Sequence, residues 1–112
     1  MTLNREQLLG IGFRSEIVST RAGDVRVRVM SGAAREAFEA SLGKADNSGT
    51  IRARWLRLTV CNEAGELEFT DEDIPKLAQL DADILMPVFA AALRINGMAP
   101  ASVEDAEKNW IS

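Results

Sequence analysis

The 112-residue chain contains no histidine, no tyrosine and a single cysteine, Cys61. The absence of histidine removes the commonest general base and the commonest zinc ligand, and the absence of tyrosine removes the phenolic acid. A lone cysteine cannot form an internal disulfide, and with neither histidine nor a cation in its turn Cys61 is predicted to be a small core residue. These absences remove common catalytic groups but do not make the chain inert, because carboxylate pairs could still serve a hydrolase.

The chain also lacks an apolar run long enough to cross a bilayer. Its main apolar stretch, residues 84–95, is well short of the roughly 20 residues that a spanning helix needs. Arg5, Glu6 and Gln7 interrupt the N-terminus, which therefore does not resemble an apolar signal segment. No glycine-rich phosphate loop and no nucleophile-elbow pattern occurs. We accordingly predict no catalytic residue, no metal, no cofactor, no membrane association and a cytoplasmic site of folding.

The stretch from Ile84 to Ile95 is interrupted only by Pro87 and Arg94. On a helix its apolar side chains cover nearly the whole circumference, so such a helix must be buried on nearly every side. In so short a chain this predicts a central core helix, a helix shared with a partner chain, or both. Asp81 or Asp83 is expected to cap the helix, with Pro87 near its first turn and Asn96–Gly97 at its exit.

A β-hairpin is predicted for residues 17–20 and 25–30, because valines alternate strictly with Arg26 and Arg28. The valine face needs a helix to cover it. Helices are predicted for residues 2–9, 31–42, 51–62, 70–80 and 102–110, in addition to the apolar one. Residues 51–62 also fit a strand, but twelve residues without a turn signal favour a helix.

The predicted fold is α+β and mostly helical, with the N-terminal hairpin packed against four to five helices. Residues 1–112 are expected to form a single domain with flexible ends and a flexible polar loop at 43–49. Near the middle of the chain, Leu67 and Phe69 are expected to reach the core from a short extended segment. The helix that follows is expected to contribute Ile74, Leu77 and Leu80 to the core.

The net charge of the chain is −4, and the charged residues are distributed unevenly along the sequence. Residues 1–62 carry ten basic and six acidic side chains, and residues 63–112 carry three basic and eleven acidic ones, which gives +4 and −8. Such polarity favours head-to-tail contact between copies or docking onto a charged partner. The alternative is that these charges form ordinary solvated faces.

An acidic cluster raises the question of a metal site. Its members are Asp71, Glu72, Asp73, Asp81 and Asp83. Their spacing does not match an EF-hand loop, and each aspartate has a capping or helix-dipole reason for its position, so capping is the favoured interpretation. A small carboxylate-dependent metal enzyme using Asp71, Asp73 and Asp83 is kept as an alternative.

Basic residues raise the question of nucleic-acid binding, since Arg52, Arg54 and Arg57 accompany Trp55, and Arg26 and Arg28 lie on the hairpin. A sequence pI of about 4.8 argues against it, because affinity for phosphates rests on local basicity. A solvated arginine face, or one that pairs with the acidic half of a neighbouring copy, is the favoured interpretation.

Four segments carry a resemblance to a known family. They are VRVRVMSGAAREAFEA at 25–40, NEAGELEFTDEDI at 62–74, AALRING at 91–97 and EDAEKN at 104–109. In this order and spacing the chain resembles the tail assembly chaperones of long-tailed bacteriophages and prophages. The resemblance implies a small, non-enzymatic cytoplasmic protein that binds the tape measure protein and keeps it soluble. It also implies that the major tail protein is helped to polymerise around this client, and that the chaperone is absent from the finished virion.

For such a role, the predicted partner-binding residues are Trp55, Leu85, Phe89, Leu93 and Met98, and a homo-oligomer is expected. The simpler interpretation is that Leu85, Phe89 and Leu93 belong to the core. A second functional hypothesis is another phage morphogenesis component that stays in the virion, such as a head–tail connector or a tail completion protein.

Overall fold

A computed structural model describes residues 2–41 and 50–97, which form five α-helices and a three-stranded antiparallel sheet. In chain order the elements are α1 (Arg5–Leu9), β1 (Ser15–Thr20), β2 (Gly23–Arg28), α2 (Gly32–Ser41), α3 (Ile51–Thr59), β3 (Val60–Cys61), α4 (Ile74–Leu77) and α5 (Ala82–Ile95). The α+β prediction is confirmed. The predicted loop at 43–49 and the predicted helix at 102–110 lie outside the described residues.

Helix α5 is the centre of the core, as its sequence predicted. Val88, Phe89 and Leu93 are fully buried, and the helix packs against α3, β1 and β2. Three elements of the same chain therefore cover most of its apolar surface. Within the described ranges, no helix has the length and apolar character required to span a membrane.

The C-terminal end of α5 agrees with the prediction, and the N-terminal end agrees only in part. Asp81 occupies the N-cap position, but its side chain makes no capping hydrogen bond. Pro87 is the sixth residue of the helix and is exposed, so the expectation that it lies near the first turn is only approximate. The exit is confirmed, because Asn96 is the C-cap and Gly97 adopts φ +89°, a conformation that favours glycine.

The predicted hairpin forms, with Ser15 opposite Arg28 and Thr20 opposite Gly23. Val27 is completely buried, and the neighbouring valines on its face pack against the core. The third strand was not predicted. Val60 and Cys61, expected at the end of a helix, pair instead with β2, with Val60 opposite Val27.

Helix α3 therefore ends three residues earlier than predicted. Thr59 is completely buried, and its hydroxyl donates to the Trp55 carbonyl oxygen at 2.6 Å. The chain turns extended at Val60, where β-branched Val and buried Cys61 complete the sheet. Helical periodicity was correct for the first nine residues, and pairing with β2, which is remote in sequence, decided the remainder.

Helix α2 begins after Ser31, whose hydroxyl oxygen accepts from the Ala34 amide at 3.1 Å. Arg35 and Glu39 form the predicted i, i+4 pair at 3.9 Å. Phe38 is the buried residue of this helix. Its predicted last residue, Leu42, lies outside the described residues.

The segment between β3 and α5 is mostly as expected. Gly65 turns the chain at φ +84°, Leu67 bridges to Cys61, and Phe69 is half-buried against the core. A 3-10 turn at Asp71–Asp73 leads into α4, which is shorter than predicted. Leu80 lies beyond α4 and is exposed, so the expectation that it points inward is wrong.

The two oppositely charged halves of the chain pair within it. Arg21 contacts both Asp81 and Asp83 at 2.5 Å, and Arg57 contacts Asp71 at 2.8 Å. These ion pairs join basic residues of the first half to acidic residues of the second. At least part of the charge asymmetry is therefore neutralised by ion pairs within one molecule.

Candidate interaction surface

The residues predicted to bind a partner lie mostly in the core. Trp55, Phe89 and Leu93 are buried, and the Trp55 ring meets the Phe89 ring edge-on with centroids 6.4 Å apart. Leu85 is half-buried against the core, and Met98 lies outside the described residues. Their positions agree with the simpler interpretation, in which these side chains belong to the core. Their partner-binding role stays a prediction that would require the core to open.

The surface that does expose large apolar side chains is the N-terminal segment. The N-terminal apolar strip consists of Leu3, Leu8, Leu9, Ile11 and Phe13, each between 48% and 69% exposed. Monomeric domains bury most of their large apolar side chains, and exposed groups of them mark interaction sites. The strip is therefore the strongest candidate interaction surface in the described residues.

Helix α1 presents part of this strip without packing its own side chains into the core. Asn4 caps it by accepting from the Gln7 amide at 2.8 Å, and the Gln7 side chain accepts from the Asn4 amide at 3.1 Å. Gly10 ends it. No residue of α1 is buried. Local capping rather than tertiary packing therefore holds Leu8 and Leu9 in place, both facing solvent.

The strip joins the rest of the molecule at Phe13 and Arg14. The Arg28 guanidinium lies 3.9 Å above the Phe13 ring centroid, within cation–π range. The Arg14 carbonyl oxygen accepts from the Val29 amide at 2.9 Å, and the Arg14 side chain donates to the Ile95 carbonyl oxygen at 2.8 Å. One end of the strip is thus fixed to both β2 and α5.

Strand β1 continues the candidate surface. The sheet order is β1-β2-β3, and in the described part of the chain no strand pairs with the outer edge of β1. Ile17 on this strand is 54% exposed. An open edge beside apolar side chains can accept an added strand or a hydrophobic segment.

A second apolar feature lies beside α5. A cleft of about 240 Å³ is lined by Phe69, Leu77, Leu80, Ile84 and Val88, together with residues of β2 and β3. It opens beside the first turns of α5, away from Leu93. This cleft lies on the N-terminal half of the helix.

The acidic cluster does not converge on one point. Asp71 pairs with Arg57, whereas Asp81 and Asp83 pair with Arg21. Among the described residues, no three metal-ligating side chains lie close enough together to hold an ion. For Asp81 and Asp83, ion pairing replaces the capping role that the sequence suggested. These pairs belong to two separate places on the molecule.

The arginines that were considered for a nucleic-acid patch, and for which a solvated or pairing face was favoured, make contacts inside the chain. Arg28 donates to the Gly65 carbonyl oxygen at 2.6 Å, and Arg26 donates to the Ser15 hydroxyl at 3.1 Å. Arg52 and Arg54 lie over the rings of Phe89 and Phe38 at 5.6 and 5.3 Å. The guanidinium groups of Arg52 and Arg54 thus cover core aromatic rings, whereas Arg28 satisfies a backbone carbonyl and Arg26 a hydroxyl.

Cys61 is buried, as predicted. Burial raises the pKa of its thiol, and the positive charges of Arg28 and Arg26 oppose that shift only in part. A thiol of this kind is a weak nucleophile at neutral pH.

Comparison with known proteins gives a fold likeness. No protein-family model and no curated protein matches the sequence. The fold is similar to a solved structure, that of the tail assembly chaperone of bacteriophage HK97, with a TM-score of 0.59 and 16% sequence identity. The match covers 80% of this chain and 94% of that chain. At this identity the likeness shows a shared fold.

Proposed function

We propose that this protein is a phage tail assembly chaperone that binds the tape measure protein and keeps it soluble during tail tube polymerisation. The observation that carries the proposal is the N-terminal apolar strip on a fold shared with a tail assembly chaperone. The four sequence segments that resemble this family support it independently of the fold. In this role the protein is non-enzymatic, acts in the host cytoplasm and is absent from the mature virion.

The strip suits a client that is helical and amphipathic. Helix α1 and β1 offer Leu8, Leu9 and Ile17, which an apolar helix face can cover. Full burial of a large apolar side chain contributes about 1.5–3 kcal/mol, so a few such contacts hold a client without covalent work. The open edge of β1 offers backbone groups to the same client. The major tail protein is a second proposed partner, and self-association through the strip is the proposed route to a homo-oligomer.

The test is co-expression with the tape measure protein of the same phage, followed by solubility and size-exclusion analysis. We expect the client to be soluble and to co-elute only in the presence of this chain. A double variant, Leu8→Glu with Leu9→Glu, should abolish co-elution, because it places two charges on the strip. The control is Ala33→Glu with Ala40→Glu, which adds the same charges to exposed positions of α2. A client equally insoluble with and without the wild-type chain would overturn the proposal.

Mass spectrometry of purified particles addresses the hypothesis of a retained connector or completion protein. Peptides of this chain at a stoichiometry comparable to that of other tail proteins would support that hypothesis. Their absence from particles, with abundant peptides in the lysate, is the expected outcome for a chaperone.

A further inference from the structure

A groove of about 550 Å³ lies where the chain leaves α5. It is bounded by the end of the N-terminal apolar strip, by the segment between β2 and α2, and by the C-terminal end of α5. Its lining residues include Phe13, Arg14, Met30, Arg35, Ile95 and Gly97. The floor is therefore largely apolar, and the charged side chains in the lining are both arginines.

Both arginines are oriented by the end of α5. Arg14 donates to the Ile95 carbonyl oxygen at 2.8 Å, and Arg35 donates to the Asn96 carbonyl oxygen at 3.2 Å. The last carbonyls of a helix carry partial negative charge, which attracts cations. A guanidinium has five N–H donors, so each arginine keeps donors for a further acceptor.

The groove remains positively charged after its internal contacts are counted. Arg35 has Glu39 at 3.9 Å on the exposed side of α2. In the described part of the chain Arg14 is paired with no carboxylate, and no acidic side chain lines the groove. Its chemistry therefore fits an acidic segment that also carries apolar side chains.

We propose that this groove binds residues 98–112 of the same chain. Gly97 is itself a lining residue, so this segment starts at the rim of the groove. Fifteen residues reach up to roughly 50 Å when extended, far more than the groove requires. Tethering at the rim also gives the segment a high effective concentration that a free partner lacks.

The composition of residues 98–112 matches the groove. Glu104, Asp105 and Glu107 outnumber the single Lys108, so the segment is acidic. On the helix that the sequence predicts there, Val103, Ala106 and Trp110 follow i, i+3, i+7 spacing and share one face. An apolar face meets the floor formed by Phe13, Met30 and Ile95, Glu107 borders that face, and the net negative charge of the segment complements the two arginines.

Docking of this segment covers Phe13, which also belongs to the N-terminal apolar strip. The groove and the strip thus share a residue, and the segment competes with any partner that reaches this end of the strip. Docking itself needs no client, so it can be tested on the isolated protein, and its outcome is separate from that of the proposed function.

The experiment is an intramolecular disulfide trap in the full chain. Gly12 lines the groove, and a Cβ at this position meets no atom within 4 Å, so Gly12→Cys is accommodated. Combined with Val103→Cys, it is oxidised with oxidised glutathione, and the product is analysed by mass spectrometry and non-reducing electrophoresis. The control pairs Val103→Cys with Ala22→Cys in the exposed hairpin turn, at the far end of β1 and β2 from the groove. Native Cys61 is buried and remains in both proteins.

We expect a monomeric disulfide to form in the groove variant about tenfold faster than in the control, because the tether at Gly97 and docking both raise the local thiol concentration there. Replacing Glu104, Asp105 and Glu107 by their amides should slow the trap severalfold, which a tether without docking would not explain, and Lys108→Gln should not slow it. Equal rates for the groove variant and its control, or an equal trap rate before and after the amide replacements, would overturn the proposal. A disulfide-linked dimer as the main product would overturn it in favour of a second copy as the occupant.

Discussion

At the residue scale, burial decides the roles of side chains that the sequence left open. Trp55 lies on a helix beside three arginines and has the pattern of a binding residue, yet its ring is packed between Phe38 and Phe89. Leu9 has the pattern of an ordinary helix residue, yet it is 69% exposed. Nothing local in the sequence separates a tryptophan that is covered from a leucine that is not.

The first prediction follows from this contrast. Phe89→Ala should lower the free energy of unfolding by about 3–5 kcal/mol, because it leaves a cavity in the most buried part of α5. Leu9→Ala is the matched exposed control and should change it by less than about 0.5 kcal/mol. Urea denaturation followed by circular dichroism measures both. A comparable loss for the two variants would mean that α1 packs into the core in solution.

Cys61 gives a second prediction at this scale. Burial raises the pKa of its thiol, so at pH 8 the native protein holds less thiolate than the unfolded chain does. Modification by a thiol reagent should be about a hundredfold slower in the native protein than in urea, since the reagent must wait for local opening. The native rate should also level off at a higher pH than the rate of the unfolded chain, because the native thiol has the raised pKa. A native rate equal to the unfolded one would contradict the burial of this side chain.

At the scale of elements, the end of α5 organises its surroundings. The Asn96 side chain accepts from the Met30 amide at 2.9 Å and donates to the Ala92 carbonyl oxygen at 2.8 Å. One residue thus ends the helix and fixes the segment that joins β2 to α2. The Asn96–Gly97 pair was recognisable as a helix exit, but its contact with a residue 66 positions away was not.

Substitution of Asn96 tests this contact. Asn96→Ala should destabilise the protein by about 1–3 kcal/mol, because it leaves the amide of buried Met30 without its acceptor. Gln79→Ala, at an exposed position beyond α4, serves as the control and should have little effect. Denaturant titrations compare the two, and hydrogen exchange at the Met30 amide should accelerate in the first variant alone. Unchanged exchange would show that another group satisfies this amide.

At the scale of the whole molecule, the fold neutralises part of the uneven charge. Arg21 pairs with two aspartates at the start of α5, and Arg57 pairs with Asp71 before α4. The pair between Arg94 and Glu16, at 3.0 Å, joins a basic residue of the acidic half to an acidic residue of the basic half and leaves the asymmetry unchanged. These pairs are largely exposed and contribute little stability individually. They do reduce the charge available for head-to-tail pairing between copies. Apolar contact through the N-terminal strip is then the route that we propose for self-association.

Salt dependence separates the two routes. We expect the sedimentation coefficient to be the same at about 50 and about 500 mM sodium chloride, because screening weakens exposed charge pairs and spares apolar contacts. Leu8→Glu with Leu9→Glu should lower it towards the monomer value, and Ala33→Glu with Ala40→Glu should not. A complex that dissociates at high salt would instead assign association to the opposite charges of neighbouring copies.

The sequence by itself determined the elements whose signals are local. Strict alternation of valine and arginine specified the hairpin, an apolar circumference specified α5 as the core helix, and the Asn96–Gly97 pair marked the exit of that helix. Tertiary structure decided what depends on distant partners. Val60 and Cys61 became a strand because β2 offered an edge, and Asp81 and Asp83 turned to Arg21 rather than to their own helix. Exposure of the N-terminal strip belongs to the same class, because whether an apolar side chain is covered depends on which other elements reach it.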